Sequence, residues 1–504
     1  ICRLLGGLPL GIELAAATLW GRTCPELADA VQADLDVLAS GAPDAAPDHA
    51  SLRAVFEVSW RQLNEAERCA YARLTVFRGG FDAEAAQRVA AAGTDRLNSL
   101  VSKSLLRRGA DGRFDLHETL RQYAAEKLAG DDEAAREARE AHRVHYVQML
   151  AGLREDMRGE GQVQALDRVQ CELDNARLAW ARLTERRDGA GLAGCAETLY
   201  QFFSIRSRFL EGAGWFSEAA AALEGLEGAQ VWLAAMLSRL GALLQRARQH
   251  EEALAALERS RTLLAGLDEP LELGFCLIGL GGVHLRRKDF EPALDASRQA
   301  QALFERAGSL DGVSYALYLQ GLILDRMGDF ETAEPLVERA VSAARQSGNP
   351  RRKIAPLNLL GDLACIQGDY ASAERIFAEA LETSRQLDDR FNLGIVVNNL
   401  ATVYHLTGRY DLAEGAYRES LAICREQGDR DGEALALNNL GELAVARGQF
   451  SEAESLSQQA LAIAEELGEE WTIVVCLYNL GEAANGAGDS ARALGFYRRG
   501  AALA

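Results

Sequence analysis

Lysine is almost missing from this sequence of 504 residues: there are four, Lys103, Lys127, Lys288 and Lys353, and none follows a glycine. A G-x-x-x-x-G-K-S/T phosphate loop is therefore excluded. No apolar strand ends in the paired acids that would hold magnesium. The chain alone is expected neither to bind ATP tightly nor to hydrolyse it. Positive charge is scarce as well, with 54 Lys+Arg against 74 Asp+Glu and a net charge of −20, which disfavours polyanion binding by the chain as a whole. No stretch approaches the roughly 18 to 20 apolar residues that span a bilayer, and no basic segment leads an apolar core as in a signal peptide. The nine cysteines include no C-x-x-C pair, which suits reduced thiols packed as small hydrophobes in a cytoplasmic protein, and no disulfide framework is expected. There is no catalytic triad, no paired acids in a plausible cleft and no metal-type cluster. The chain opens on Ile1 rather than Met, and the expectation is a piece of a longer protein.

What is present is length and repetition. A chain this long exceeds one hydrophobic core. Glycines recur at Gly328, Gly368, Gly408, Gly448 and Gly488, 40 residues apart, and Arg248 and Lys288 occupy the same slot earlier. Seven units thus run from about residue 234 to 504. A small residue lies seven before each slot (Gly241, Gly281, Gly321, Gly361, Ala401, Gly441, Gly481) and an alanine five after it, from Ala253 to Ala493. A further small residue follows seven later, from Ser260 to Gly500. Such spacing fits paired antiparallel helices that approach closely only where side chains are small. The pattern resembles the tetratricopeptide repeat. That resemblance implies a mainly α fold, a right-handed superhelix of helical hairpins with a concave groove.

The same resemblance places the first helix of each hairpin on the concave face, with the positions two and three before the small residue pointing into it. Here they read Asn358, Asn398 and Asn399, Asn438 and Asn439, then Tyr478 and Asn479. Amide side chains both donate and accept, so a ladder of them suits the backbone of an extended peptide. The competing reading has them bonding neighbouring helices. Tyr315, Tyr318, Asp325 and Arg326 precede them, and Asp362, Glu442 and Glu482 favour a basic or amine-bearing ligand in the later half. The array holds 27 Lys+Arg and 39 Asp+Glu, most of it expected on solvated surface.

Before the array, the pattern predicts helices over 52–63, 65–77, 83–91 and 95–103, strands over 105–107 and 113–116, and a helix over 118–128. Helices followed by a two-stranded wing make a winged-helix domain, residues 51–130. It follows a helical end piece (1–50) containing Gly7-Leu8-Pro9-Leu10, and precedes a helical connector (131–233). His142 and His145, three apart in the connector, are expected to be packed or solvated rather than metal ligands.

Five motifs stand in series: Gly-Leu-Pro-Leu, Val76 to Phe81, Leu100 to Leu106, Leu116 to Ala124, and Glu172 to Asn175 with Trp180. In that order they resemble a bacterial STAND-class regulatory ATPase. The resemblance implies that Pro9 packs against adenine and that His117 contacts the β-phosphate of ADP and holds the inactive state. Leu116 and Glu118 depart from the family's methionine and aspartate, and the alternative for His117 is an ordinary residue beside a helix cap. ADP or ATP would be bound only by the full-length protein, a slow ATPase that oligomerises on activation.

The leading expectation is the sensor part of a nucleotide-switched regulator of transcription, its groove taking a peptide, protein or small effector and its DNA-binding module lying outside this sequence. One alternative is a passive repeat scaffold. Another is a DNA-reading winged helix, for which 13 Lys+Arg against 10 Asp+Glu in residues 51–130, with Arg96 and Lys103 on its fourth helix, give little support.

Overall fold

The computed structural model describes residues 12, 15–16, 23–33, 37–38 and 52–503. Pro9 and the rest of the Gly-Leu-Pro-Leu motif lie outside the described residues. The chain divides into two compact units, one of residues 1–153 with 166–195 and one of 154–165 with 196–504. The predicted connector is therefore not a body of its own. Its helices are shared out between the two units according to the core each one's apolar face can join.

The first unit contains α1 (Cys24–Ala33), α2 (Leu52–Arg61), α3 (Glu65–Leu74), α4 (Ala83–Ala90) and α5 (Thr94–Ser102). A ribbon of β1 (Arg107–Arg108) and β2 (Phe114–Asp115) follows, then α6 (Glu118–Ala129) and α7 (Asp132–Gly152). α8 (Gln162–Cys171) leads into the unit, α9 (Leu173–Glu185) lies within it and α10 (Gly189–Ile205) leaves it. α3 starts where the sequence gives a reciprocal cap: the Asn64 side chain accepts from the Glu67 backbone at 2.9 Å, and the Glu67 carboxylate accepts from the Asn64 backbone at 3.0 Å. β1 pairs antiparallel with β2, and Phe114 also exchanges backbone bonds with Phe81. Leu105 and Leu106, predicted to open the first strand, lie before it with their side chains in the core. That core runs through Tyr71, Phe77, Phe81, Leu97, Leu100, Phe114, Tyr123 and Tyr146.

The second unit is built from hairpins. After α11 (Phe209–Leu223), seven helix pairs follow: α12 (Gln230–Arg246) with α13 (His250–Leu264), α14 (Pro270–Arg286) with α15 (Phe290–Arg306), and α16 (Leu310–Met327) with α17 (Phe330–Ser347). Next come α18 (Ile354–Ile366) with α19 (Tyr370–Gln386), α20 (Arg390–Leu406) with α21 (Tyr410–Gln427), α22 (Arg430–Ala446) with α23 (Phe450–Leu467), and α24 (Glu470–Gly486) with α25 (Ser490–Leu503). The first helices of neighbouring pairs touch one another, from α12 against α14 to α22 against α24.

Side-chain size sets the spacing. A Cβ on Gly361 would lie 2.6 Å from the Phe377 ring, and one on Gly321 2.4 Å from Val337. The alanine row Ala253, Ala293, Ala333, Ala373, Ala413 and Ala453 is wholly buried. Where serine replaces alanine in the next row, its hydroxyl finds a carbonyl across the pair: Ser260 donates to Ala234 and Ser420 to Gly394, both at 2.8 Å. The turn slot needs a left-handed backbone, and glycine supplies it at Gly328 with φ 81°. Arg248 and Lys288 hold the same conformation at φ 65° and 64°, at a cost of about 1 to 2 kcal/mol each for an L side chain.

Candidate functional site

Two places gather the residues that the sequence singled out. In the first unit, residues 77–81 meet the start of α9 through Asn175. Its Oδ1 accepts from the Arg78 N–H at 2.7 Å, and its Nδ2 donates to the Gly80 carbonyl at 2.8 Å and to Glu172 at 3.0 Å. Glu172, fully buried, is paired with Arg113 and accepts from the Tyr146 hydroxyl at 3.0 Å. His142 Nε2 lies 3.2 Å from the same Asn175 oxygen, while Arg182 donates toward Nδ1 at 3.3 Å. An acceptor on one ring nitrogen and a donor on the other fix a neutral ring with its proton on Nε2. Burial, reinforced by Arg182, holds its pKa down at about 3. Gly79 and Gly80 have φ 68° and 85°, and a Cβ on Gly79 would meet Asp174 at 2.8 Å. Two motifs nearly a hundred residues apart are thus halves of one closed polar knot.

His117 sits beside this knot as the residue that precedes α6. It is 8% exposed, and its Nδ1 lies 2.9 Å from the Thr119 hydroxyl. It makes no side-chain cap to the helix backbone. Glu118, its neighbour, pairs with Arg121. A cavity of about 60 Å³ opens alongside, lined by Phe77, Arg78, Gly79, Gly80, Phe81, Asp115, Leu116, Glu118 and Arg121. Both of its guanidinium groups are engaged, Arg121 with Glu118 and Arg78 with the Thr75 and Phe77 carbonyls at 3.0 and 2.9 Å, and Asp115 and Glu118 add carboxylates to the lining.

The second place is the inner face of the hairpin array. Asn399 Nδ2 donates to Asn358 Oδ1 at 3.2 Å, Asn439 to Asn398 at 3.1 Å and Asn479 to Asn438 at 3.0 Å. Each bond joins one first helix to the next, 41 residues on. Asn398, Asn438 and Asn479 are buried, which takes them out of reach of a ligand, whereas Asn358, Asn399 and Asn439 are half-buried and Tyr478 is 56% exposed. The ladder ends in Tyr478 because that residue occupies the acceptor slot of the last pair. The bonding that the sequence left as an alternative is thus present, and the half-buried amides still face the interior.

Around the ladder stand groups with few partners. Tyr315 and Tyr318 stack at 6.2 Å. Arg352 lies over the Tyr315 ring at 4.8 Å, and Arg246 over Phe209 and Phe391 at 4.9 and 4.5 Å. Asp362 takes amide bonds from Asn399 at 2.9 Å and Asn358 at 3.4 Å. Burial, with Asp325 as a second negative charge nearby, raises its pKa to about 7. Glu482 accepts from Tyr497 at 2.5 Å and Glu442 is exposed. Sequence reasoning missed Arg246, Phe391 and Arg352, because only the coiling of the array brings α12 opposite α20. Among the described residues no helix is long and apolar enough to cross a membrane.

Comparison with known proteins follows the same division. The family model described as tetratricopeptide repeat matches residues 232–306, 312–386, 392–466 and 432–504. A candidate HTH-type transcriptional regulator of Mycobacterium tuberculosis is 35% identical over 229 residues, 43% of this chain and 25% of the relative. An uncharacterized protein of the same species is 36% identical over 146 residues, 27% of this chain and 37% of the relative. The chain thus spans about a quarter of the length of the regulator it matches. Among solved structures, a signal transduction ATPase with numerous domains (STAND) protein with a tetratricopeptide repeat sensor, from Pyrococcus horikoshii, superposes with a TM-score of 0.61. That match has 14% identity and covers 97% of this chain and 71% of the other. A Rap protein complexed with Competence and Sporulation Factor superposes with a TM-score of 0.50 at 14% identity, over 71% of this chain and 97% of the other.

Proposed function

Because the chain belongs to the tetratricopeptide repeat family, we propose that its array is the sensor of a regulatory protein and that the module before it relays occupancy of the inner face to a nucleotide switch. The observation that carries this is the inner face itself, where Tyr315 stacks on Tyr318, Asp362 accepts from Asn358 and Asn399, and Arg246 crosses to Phe391. An effector that orders these groups biases a two-state protein by its differential affinity for the two states. The STAND structure with a repeat sensor supports the arrangement at the level of fold. The likeness to a candidate transcriptional regulator supports an output on transcription, and the Rap complex supports occupancy of the face by a peptide, protein or small effector.

In this reading residues 51–130 are a winged-helix module, and His117 and the cavity beside it face the phosphates of ADP held by a nucleotide-binding domain that supplies the phosphate loop. The chain alone takes no nucleotide tightly and turns none over, and oligomerisation belongs to the activated full protein, which works in the cytoplasm. The test is a transcriptional reporter in cells making the gene's whole product. His117→Ala should raise output without effector, and the combination of Tyr318→Ala and Asp362→Ala should abolish the response to effector while leaving output low. Reporter activity indifferent to both changes would leave a passive scaffold as the better account.

A further inference from the structure

Most left-handed turns of the array are glycines, and the exceptions are charged. In the hairpin turns the slot holds Arg248 and Lys288, then Gly328, Gly368, Gly408, Gly448 and Gly488; in the links between hairpins it holds Gly308, Gly348, Asp388, Gly428 and Gly468. Arg248 and Asp388 have φ 65° and 47°, where a side chain strains the backbone and glycine does not. Both side chains reach residues far along the chain. Arg248, in the turn of the first hairpin, pairs with Asp431 at the start of α22 and with Glu469, which precedes α24, 183 and 221 residues on. Asp388, just before α20, pairs with Arg206, just after α10, at 3.5 Å. A third contact has the same span: Arg246 lies 4.5 Å over the ring of Phe391 on α20. Lys288, in the next turn, makes no ion pair among the described residues and serves as a built-in control.

Contacts of this span exist only because the hairpins coil and bring the first one back against the fifth, sixth and seventh. Each hairpin adds a small rotation, so a slight change at every step is summed at this seam. The Arg248 pairs are half-exposed, and such pairs are individually weak, while the left-handed backbone works against them. A contact whose gain and strain nearly cancel does not staple the coil; it leaves two arrangements close in free energy. We propose that Arg206 with Asp388, Arg246 with Phe391, and Arg248 with Asp431 and Glu469 form a latch on the coil, fastened in one state and parted in another, so that the array changes its pitch as a unit. The latch lies across the seam and does not depend on what the interior binds. The competing account is that the pairs are incidental to a coil whose pitch is set by helix packing alone. It predicts the same coil with or without them.

The experiment measures distances across the seam by double electron–electron resonance in the 504-residue chain, with spin labels on a non-natural residue because nine cysteines are already present. Glu252 and Glu470, both exposed, carry labels on opposite sides of the seam, and Glu252 with the exposed Glu291 reports two adjacent hairpins as a reference. At low ionic strength the seam pair should give one short distance. Salt at about 1 M, which screens charges beyond about 3 Å, should add a second, longer distance and leave the reference unchanged. Arg248→Gly with Asp388→Gly should give the longer distance at every salt concentration with a melt no lower, since strain is removed together with the pairs. Arg248→Lys should keep the short distance, and Lys288→Gly should leave it untouched. A short distance retained in the double glycine variant, with or without a lowered melt, would overturn the latch. So would a gradual lengthening without two populations, or a lengthening shared by the reference pair.

Discussion

The polar knot of the first unit and the inner face of the array treat polar groups in opposite ways. Around Asn175 each donor meets an acceptor: Arg78, His142, Gly80 and Glu172 converge on one amide, and Arg113 and Tyr146 complete the carboxylate. On the inner face Asp362 carries a carboxyl whose ordinary acidity is suppressed by burial and Asp325, with Arg326 near both acids but in an ion pair with neither. A satisfied buried network specifies and rigidifies structure. Capacity left over toward an interior is what a ligand can use. The difference teaches that motif strength in a sequence does not rank sites by function, since the strongest paired motif of the first unit is a clasp.

The largest expected effect breaks the clasp. Arg113→Ala strands the fully buried Glu172, which should cost the first unit about 3 to 5 kcal/mol. Hydrogen exchange resolved by segment would show amides of residues 71–150 losing protection while those of the array keep theirs. Loss spread evenly over both units would contradict the separation.

Acidity should act on the two regions with opposite signs. His142 is held neutral down to about pH 3, whereas an unfolded histidine protonates near 6.5. Stability of the first unit is therefore full above pH 6.5 and falls as the pH drops toward 3. Asp362, raised to about 7, binds its proton more tightly folded than unfolded, so the array gains stability as the pH falls from 7 toward 4. His142→Gln should flatten the first dependence and Asp362→Asn the second, checked by segment-resolved exchange across that range.

A smaller effect sharpens the account of the amide ladder. Asn399→Ala with Asn439→Ala removes three inter-helix bonds, to Asn358, Asp362 and Asn398. Half-buried bonds are worth about 0.5 to 1.5 kcal/mol each, so the array melt should fall measurably while the first unit is untouched. An unchanged melt would mean the amides serve the ligand alone. Last comes a gain: Lys288→Gly relieves a left-handed side chain and should stabilise the array by about 1 kcal/mol. Arg248→Gly should not, because it also discards ion pairs to Asp431 and Glu469. Chemical denaturation of both variants decides this.

Much of this architecture was legible in the sequence because close helix packing writes itself as small residues at fixed intervals. The turn slot was legible even where arginine and lysine fill it, since flanking positions kept register. The helices and ribbon of residues 52–129 follow from capping residues and from glycines that only a turn tolerates. The meaning of the asparagines was not legible: which of two adjacent amides is buried depends on helix rotation against the next pair, and no local propensity encodes that. Sequence leaves His142 either packed or solvated, because its partner Asn175 lies in a motif with no visible link to it.

By itself, then, the sequence determined the repeat, its period, the positions that must stay small, and the acidic surplus, all of which are local or periodic properties of the chain. Tertiary structure alone decided that Asn175 clasps residues 78–80, that Asn398, Asn438 and Asn479 are buried, and that Arg246 faces Phe391 across the interior. Those facts depend on small rotations summed over many packed helices, and a sum of that kind is fixed only when every helix is in place.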